Sequence, residues 1–137
     1  MSRENLEVIR ALLERWNSGD RDMRRLAEYL DPAVQLESPL SSVSGEPYRG
    51  YPGIARWMRD LDEQFAQFTI SAEDIREVGE KVIAIGTIKA RGRSSGATLE
   101  FPSASVQEFA SDHRVRQIHI YADVQEALKA VGWPSAA

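Results

Sequence analysis

Leu6, Ile9, Leu12, Leu13 and Trp16 recur at three- and four-residue intervals, which lays one apolar stripe along a helix whose other positions are charged. Gly19 is a natural stop, and Asp20 a natural N-cap for a second helix with Met23, Leu26, Ala27 and Leu30 on one face, ending before Asp31-Pro32. The two helices form a short antiparallel hairpin. From Ala33 to Ser38 apolar and polar residues alternate, predicting a strand that stops at Pro39. Serines, glycines and prolines between Leu40 and Tyr51 predict a loop. Pro52 suits the first turn of a third helix, whose buried stripe is Ile54, Trp57, Met58, Leu61 and Phe65.

Beyond Phe68 the period changes to two and β-branched residues become frequent. Strands are expected near Phe68–Val78, Lys81–Arg91, Ala97–Phe109 and Arg114–Ala122, separated by turns at Gly79-Glu80, Ser94-Ser95-Gly96 and Ser111-Asp112-His113. Connections this short force an antiparallel meander. Asp123, with Glu126 three residues on, caps a brief last helix that carries Ala127, Leu128 and Val131 on one face, and Trp133 packs against its end. Helices first and a long meander afterwards predict the α+β class: a cone-shaped α+β barrel, helices packed on the concave face of a strongly curved, mainly antiparallel sheet. The open end of such a cone is a natural ligand pocket. Residues 1–137 make one domain of ordinary size.

Composition narrows the function classes. No apolar run reaches the roughly 18 residues of a membrane span, and the charged, helix-periodic start MSRENLEVIR has no signal-peptide pattern, so a cytoplasmic protein without a membrane partner is expected. With no cysteine, thiolate chemistry, disulfides and cysteine-ligated metals are excluded. The net charge of -4 argues against nucleic acid as a partner. The basic stretch Lys89-Ala-Arg91-Gly-Arg93 runs into Ser94-Ser95-Gly96 and is expected to be a solvated hairpin end. Two histidines without ligand spacing give no metal site, and no glycine-rich loop opens a helix to hold a cofactor.

Four strings carry a family resemblance: Trp16-Asn-Ser-Gly19-Asp20, Tyr48-Arg-Gly50-Tyr-Pro-Gly53-Ile54, Arg91-Gly-Arg-Ser-Ser-Gly96 and Tyr121-Ala-Asp123-Val-Gln-Glu-Ala127-Leu128-Lys-Ala-Val-Gly132. In this order and spacing the chain resembles a SnoaL-like protein of the nuclear transport factor two superfamily, over nearly its whole length. That scaffold carries isomerases, cyclases, epoxide hydrolases and binding modules, so the resemblance implies a fold and leaves the reaction open.

Aligned with the ketosteroid isomerase branch, the carboxylate base falls on Ser38, the tyrosine donor on Leu12 and the acidic donor on Ser105. The chemistry of that branch is therefore absent. The limonene epoxide hydrolase triad fails likewise, its last-strand aspartate falling on Ile120 and Arg93 having no carboxylate near it in the sequence. The polyketide cyclase branch, which needs a proton relay near the end of the sheet, draws attention to His119, Tyr121 and Asp123.

Catalytic candidates are thus His119, Asp123 and Glu37, against the plainer readings of a sheet histidine, a helix cap and an outward-facing strand carboxylate. His113, in a turn, is expected to be solvated. If the isomerase register holds, Ile118, Ile120 and Ala122 face the pocket with Leu12, Trp16, Leu36 and Trp57, and Ser38, Ser103, Ser105 and Gln107 supply its polar contacts. The expected ligand is a small hydrophobic molecule. The opposite sheet face, with Gln117, His119 and Tyr121, is expected to carry a homodimer contact. An isomerase- or cyclase-like enzyme and a non-catalytic interaction module stand as alternatives.

Overall fold

The computed structural model describes residues 2–19, 22–38 and 46–132. The expectations for Asp20, Pro39 and Trp133, and for residues 40–45 of the loop, lie outside them. The elements run α1 (Ser2–Ser18), α2 (Met23–Leu26), β1 (Leu30–Glu37), β2 (Tyr48–Arg49), α3 (Gly50–Gln64), β3 (Phe65–Val78), β4 (Lys81–Gly92), β5 (Thr98–Phe109), β6 (Val115–Tyr121) and α4 (Val124–Val131). One six-stranded, curved and unclosed sheet has the order β2-β1-β6-β5-β4-β3. All neighbours are antiparallel except β1 and β6, which run parallel.

Several boundaries differ from the periodicity. Leu30, expected on the second helix, begins β1, and α2 is a single turn capped by Asp22, whose carboxylate accepts from Arg24 N–H. Pro32 lies inside the strand. It has no N–H to give, and the pairing of β1 with β6 slips between Leu30 and Gln35 to pass it. The expected loop contains the two-residue strand β2 and the start of α3. Phe65, expected on the third helix, is the first residue of β3.

Side-chain parity divides the sheet into two faces with two cores. Helices α1 and α3 cover the concave face, burying Ile9, Trp16, Ile54, Trp57, Met58 and Leu61 against Val34, Leu36, Val82, Ala84 and Val115. The last helix departs from the expected arrangement. It packs on the convex face, where Ile83, Ala104, Val106 and Ala127 are buried together with Leu128 and Val131 against them. The cause is legible in the strands: Ile83 and Val106 are apolar on the parity opposite to Val82 and Gln107, so β4 and β5 need cover on both sides.

Polar contacts pin the helices to the strands. Tyr48 hydroxyl donates to Asp60 Oδ2 at 2.6 Å, fixing α3 to β2, and Tyr51 hydroxyl to the Leu30 carbonyl at 2.8 Å, fixing α3 to β1. Asn17 grips both backbone groups of Ile70, accepting from its N–H at 2.9 Å and donating to its carbonyl, so a side-chain amide stands in for a partner strand at the sheet edge. His113 is not solvated as its turn position suggested. Its φ is 68°, and its ring meets Asn5 Oδ1 at 3.0 Å and Glu4 Oε2 at 3.2 Å, joining the β5–β6 turn to α1. Arg93, at the basic hairpin end, reaches back to the carbonyls of Asp62 and Phe65, while Lys89 lies 3.7 Å from Glu100.

Candidate functional site

The concave face has a floor of small side chains under walls of large ones. Across the central strands Gly86 pairs with Ala72 on one side and Ser103 on the other, and Ala84 pairs with Ser105. Above this floor stand Leu12, Leu13 and Trp16 from α1 and Trp57 and Met58 from α3, which cannot descend far enough to fill it. A cavity of about 120 Å³ remains. A second chamber of about 150 Å³ continues towards the ends of β1 and β6, walled by Ser38, Leu61, Phe65, Phe101, Tyr121 and Ala122. The chambers share Trp57, Phe68, Ile88, Ser103 and Ile120.

The indole rings of Trp16 and Trp57 stack at 5.0 Å, and Phe68 meets Trp16 edge-on at 6.3 Å. These contacts stiffen the wall, because large rings in mutual contact have few other rotamers to visit. Phe101, more than a third exposed, stands at the rim of the outer chamber.

The hydroxyl and amide groups of the inner chamber sit in one row on β5. Gln107, with only 5% of its surface exposed, donates through Nε2 to Ser105 Oγ at 2.7 Å. Its Oε1 is buried with no protein donor in reach. Such an orphaned acceptor costs about 1–3 kcal/mol, so it stands out beside the apolar side chains of the wall. Ser103 hydroxyl donates to the Tyr121 carbonyl at 3.4 Å. No ionisable side chain lines the inner chamber among the described residues.

The structure puts Leu12, Trp16, Leu36, Trp57, Ser103, Ser105, Gln107, Ile118 and Ile120 on the inner chamber and Ser38 and Ala122 on the outer one. Alternation missed the floor residues Ala72, Ala84 and Gly86, and the wall residues Phe68 and Ile88. A signal existed in the small residues at alternate positions of β4 and β5.

Glu37, His119 and Asp123 line neither chamber. His119 pairs with Val106 on β5, on the convex parity, and its ring stacks on Tyr121 at 4.0 Å with 7° between planes. His119 Nδ1 lies 3.8 Å from Glu37 Oε2, both side chains about two-fifths exposed. Burial raises the Tyr121 hydroxyl pKa above its ordinary value, and the carboxylates of Glu37, Glu126 and Glu108 add to this. This is the face assigned from the sequence to a second copy. Asp123 caps α4, accepting from Gln125 N–H at 2.9 Å. No group of three or more acidic or histidine side chains is arranged to hold a metal among the described residues, and no helix there is long and apolar enough to cross a membrane.

A curved, unclosed sheet with helices over its concave face and a cavity between them defines the nuclear transport factor two-like class of α+β cones. The SnoaL-like domain family matches residues 9–118, and the chain belongs to it. Its fold is similar to that of a nuclear transport factor two-like protein of unknown function from Burkholderia pseudomallei, with a TM-score of 0.78 at 19% identity over 96% of this chain and 98% of that one. It is also similar to a SnoaL-like polyketide cyclase, so described, from Jannaschia sp. CCS1, with a TM-score of 0.76 at 17% identity over 98% and 95% of the two chains. A third structure is a protein of ketosteroid isomerase-like fold from Catenulispora acidiphila in complex with trimethylamine, with a TM-score of 0.71 at 13% identity over 93% and 94%. No curated protein matches the chain by sequence.

Proposed function

We infer that the chain binds a small, uncharged, hydrophobic molecule in the concave cavity. One observation carries this reading: two adjoining chambers are walled almost wholly by apolar side chains, and the inner one has no ionisable group. Bringing a charge into such a site without a counter-charge is costly, whereas an apolar body gains about 25 cal/mol for each Å² it removes from water. The trimethylamine complex of a structural neighbour supports small-molecule binding on this scaffold. The proton-transfer alternative, built on Glu37, His119 and Asp123, lacks equivalent support, since none of the three lines either chamber and a general base must come within hydrogen-bond reach of the proton it takes.

Titration with the neutral two-ring fluorophore 1-naphthylamine tests the reading, because Trp16 and Trp57 lie in the wall and report on an occupant. Saturable one-to-one quenching of tryptophan emission is expected. Ala84→Ile, which adds three carbons to the floor, is expected to keep the fold and abolish the quenching. Equal quenching in both proteins, or none in either, contradicts it.

A further inference from the structure

The inner chamber offers more than apolar shape. Gln107 spends its amide N–H on Ser105 Oγ and keeps a buried acceptor, Oε1, without a protein donor. Ser105, already accepting that bond, retains its own hydroxyl proton to give. Side by side the two residues present one acceptor and one donor. A single bound group satisfies both only if it donates and accepts on neighbouring positions.

We propose that Gln107 and Ser105 read the polar edge of a neutral two-ring ligand, an edge with a hydrogen-bond donor beside an acceptor, as in lactams and hydroxy-carbonyl compounds. This deepens the binding reading above and rests on it. A carboxylate has no proton for Gln107 Oε1 and finds no cation in the wall; an ammonium has no acceptor for the Ser105 hydroxyl. Ring number follows from volume. A dry apolar cavity of about 150 Å³ holds one benzene, and the chambers measure about 120 and 150 Å³. The head ring lies over Ser105 with its polar edge towards Gln107. The second ring occupies the adjoining outer chamber, which shares Trp57, Phe68 and Ile88 with the inner one.

An isosteric pair of probes separates this edge recognition from simple hydrophobic binding. 2-Quinolinone presents N–H beside C=O, and coumarin has the same two rings and carbonyl with an ether oxygen where the N–H was. Calorimetric titration of the wild-type chain is expected to show 2-quinolinone binding at least about tenfold more tightly than coumarin, since the lactone oxygen leaves Gln107 Oε1 unpaired. Gln107→Leu is expected to bring the two affinities together and to melt no lower than wild type, because it removes an orphaned acceptor. Ser105→Ala weakens both probes, which lose the donor to their carbonyl, and provides the second variant should Gln107→Leu fold poorly. Equal affinities in the wild type, or a preference that survives Gln107→Leu, overturn the edge reading while leaving hydrophobic binding intact. Failure of both probes together with 1-naphthylamine overturns the binding reading and this one with it.

Discussion

Tyr48 shows how one side chain couples the site's scaffold to pH. It is 5% exposed, donates its hydroxyl to Asp60 and lies under the Arg56 guanidinium. Burial first, then the bond and charge of Asp60, push its pKa from 10 up to about 12. The folded state therefore holds the proton more tightly than the unfolded chain. The stabilisation is fully present below about pH 10 and is lost as pH rises towards about 12. Denaturation midpoints are expected to fall across that window in the wild type and to lose this part of their pH dependence in Tyr48→Phe. An unchanged profile in the variant removes Tyr48 as the cause.

Residue-level reading of the sequence worked where parity decided the matter. Ser103, Ser105 and Gln107 occur on alternate positions, so a correct strand put all three on one face, and Ile118 and Ile120 followed by the same rule. It failed for His113, whose partners Asn5 and Glu4 lie more than a hundred positions away in the chain. No local pattern carries a contact of that range.

At the scale of elements, the cavity depends on how β3 bends over β4. Register slips between Ala72 and Asp74, and the bulge brings the Ser71 carbonyl so close to Gly86 that an added Cβ would lie 1.8 Å from it. Only glycine leaves room for that approach, and the bend helps to curve the sheet around the cavity. Gly86→Ala is expected to destabilise the fold by at least about 2 kcal/mol, because a backbone carbonyl must move to admit the methyl group. A chemical-denaturation midpoint equal to that of the wild type contradicts this account of the bend. The sequence marked the strands on either side of the bulge but not the bulge itself. Ile75 regains the concave face only because Glu73 is extra, and alternation alone places it on the wrong side.

Other element-level differences have equally plain causes. Leu30 fits a helical stripe and a strand equally well, and pairing with Val115 decides for the strand. The two residues of β2 are too few to show alternation. The parallel join of β1 to β6 links segments at opposite ends of the chain, which periodicity cannot register. The last helix was visible in its cap and its apolar face, but which side of the sheet it covers depends on Ile83, Ala104 and Val106 presenting a second apolar surface.

On the scale of the whole molecule, the sheet supports two different faces. The convex side over β4 and β5 is filled by α4, whereas the concave side is roofed by large side chains over a floor too small to meet them. That mismatch makes a container, and the hydroxyl and amide groups of its inner chamber are confined to one strand. The class of fold was legible from element order and motif strings. The chambers were not, since volume comes from the fit between helix and sheet and from the sizes of Ala72, Ala84 and Gly86 opposite Trp16 and Trp57.

Isoleucine methyl groups on both faces give the most direct test of occupancy. Ile88, Ile118 and Ile120 line the chambers, and Ile83 and Ile85 stand on the opposite parity. With methyl-labelled protein and bound 1-naphthylamine, nuclear Overhauser contacts from the probe are expected to Ile88, Ile118 and Ile120 and not to Ile83 or Ile85. Contacts to the second pair in place of the first would contradict the concave cavity as the binding site.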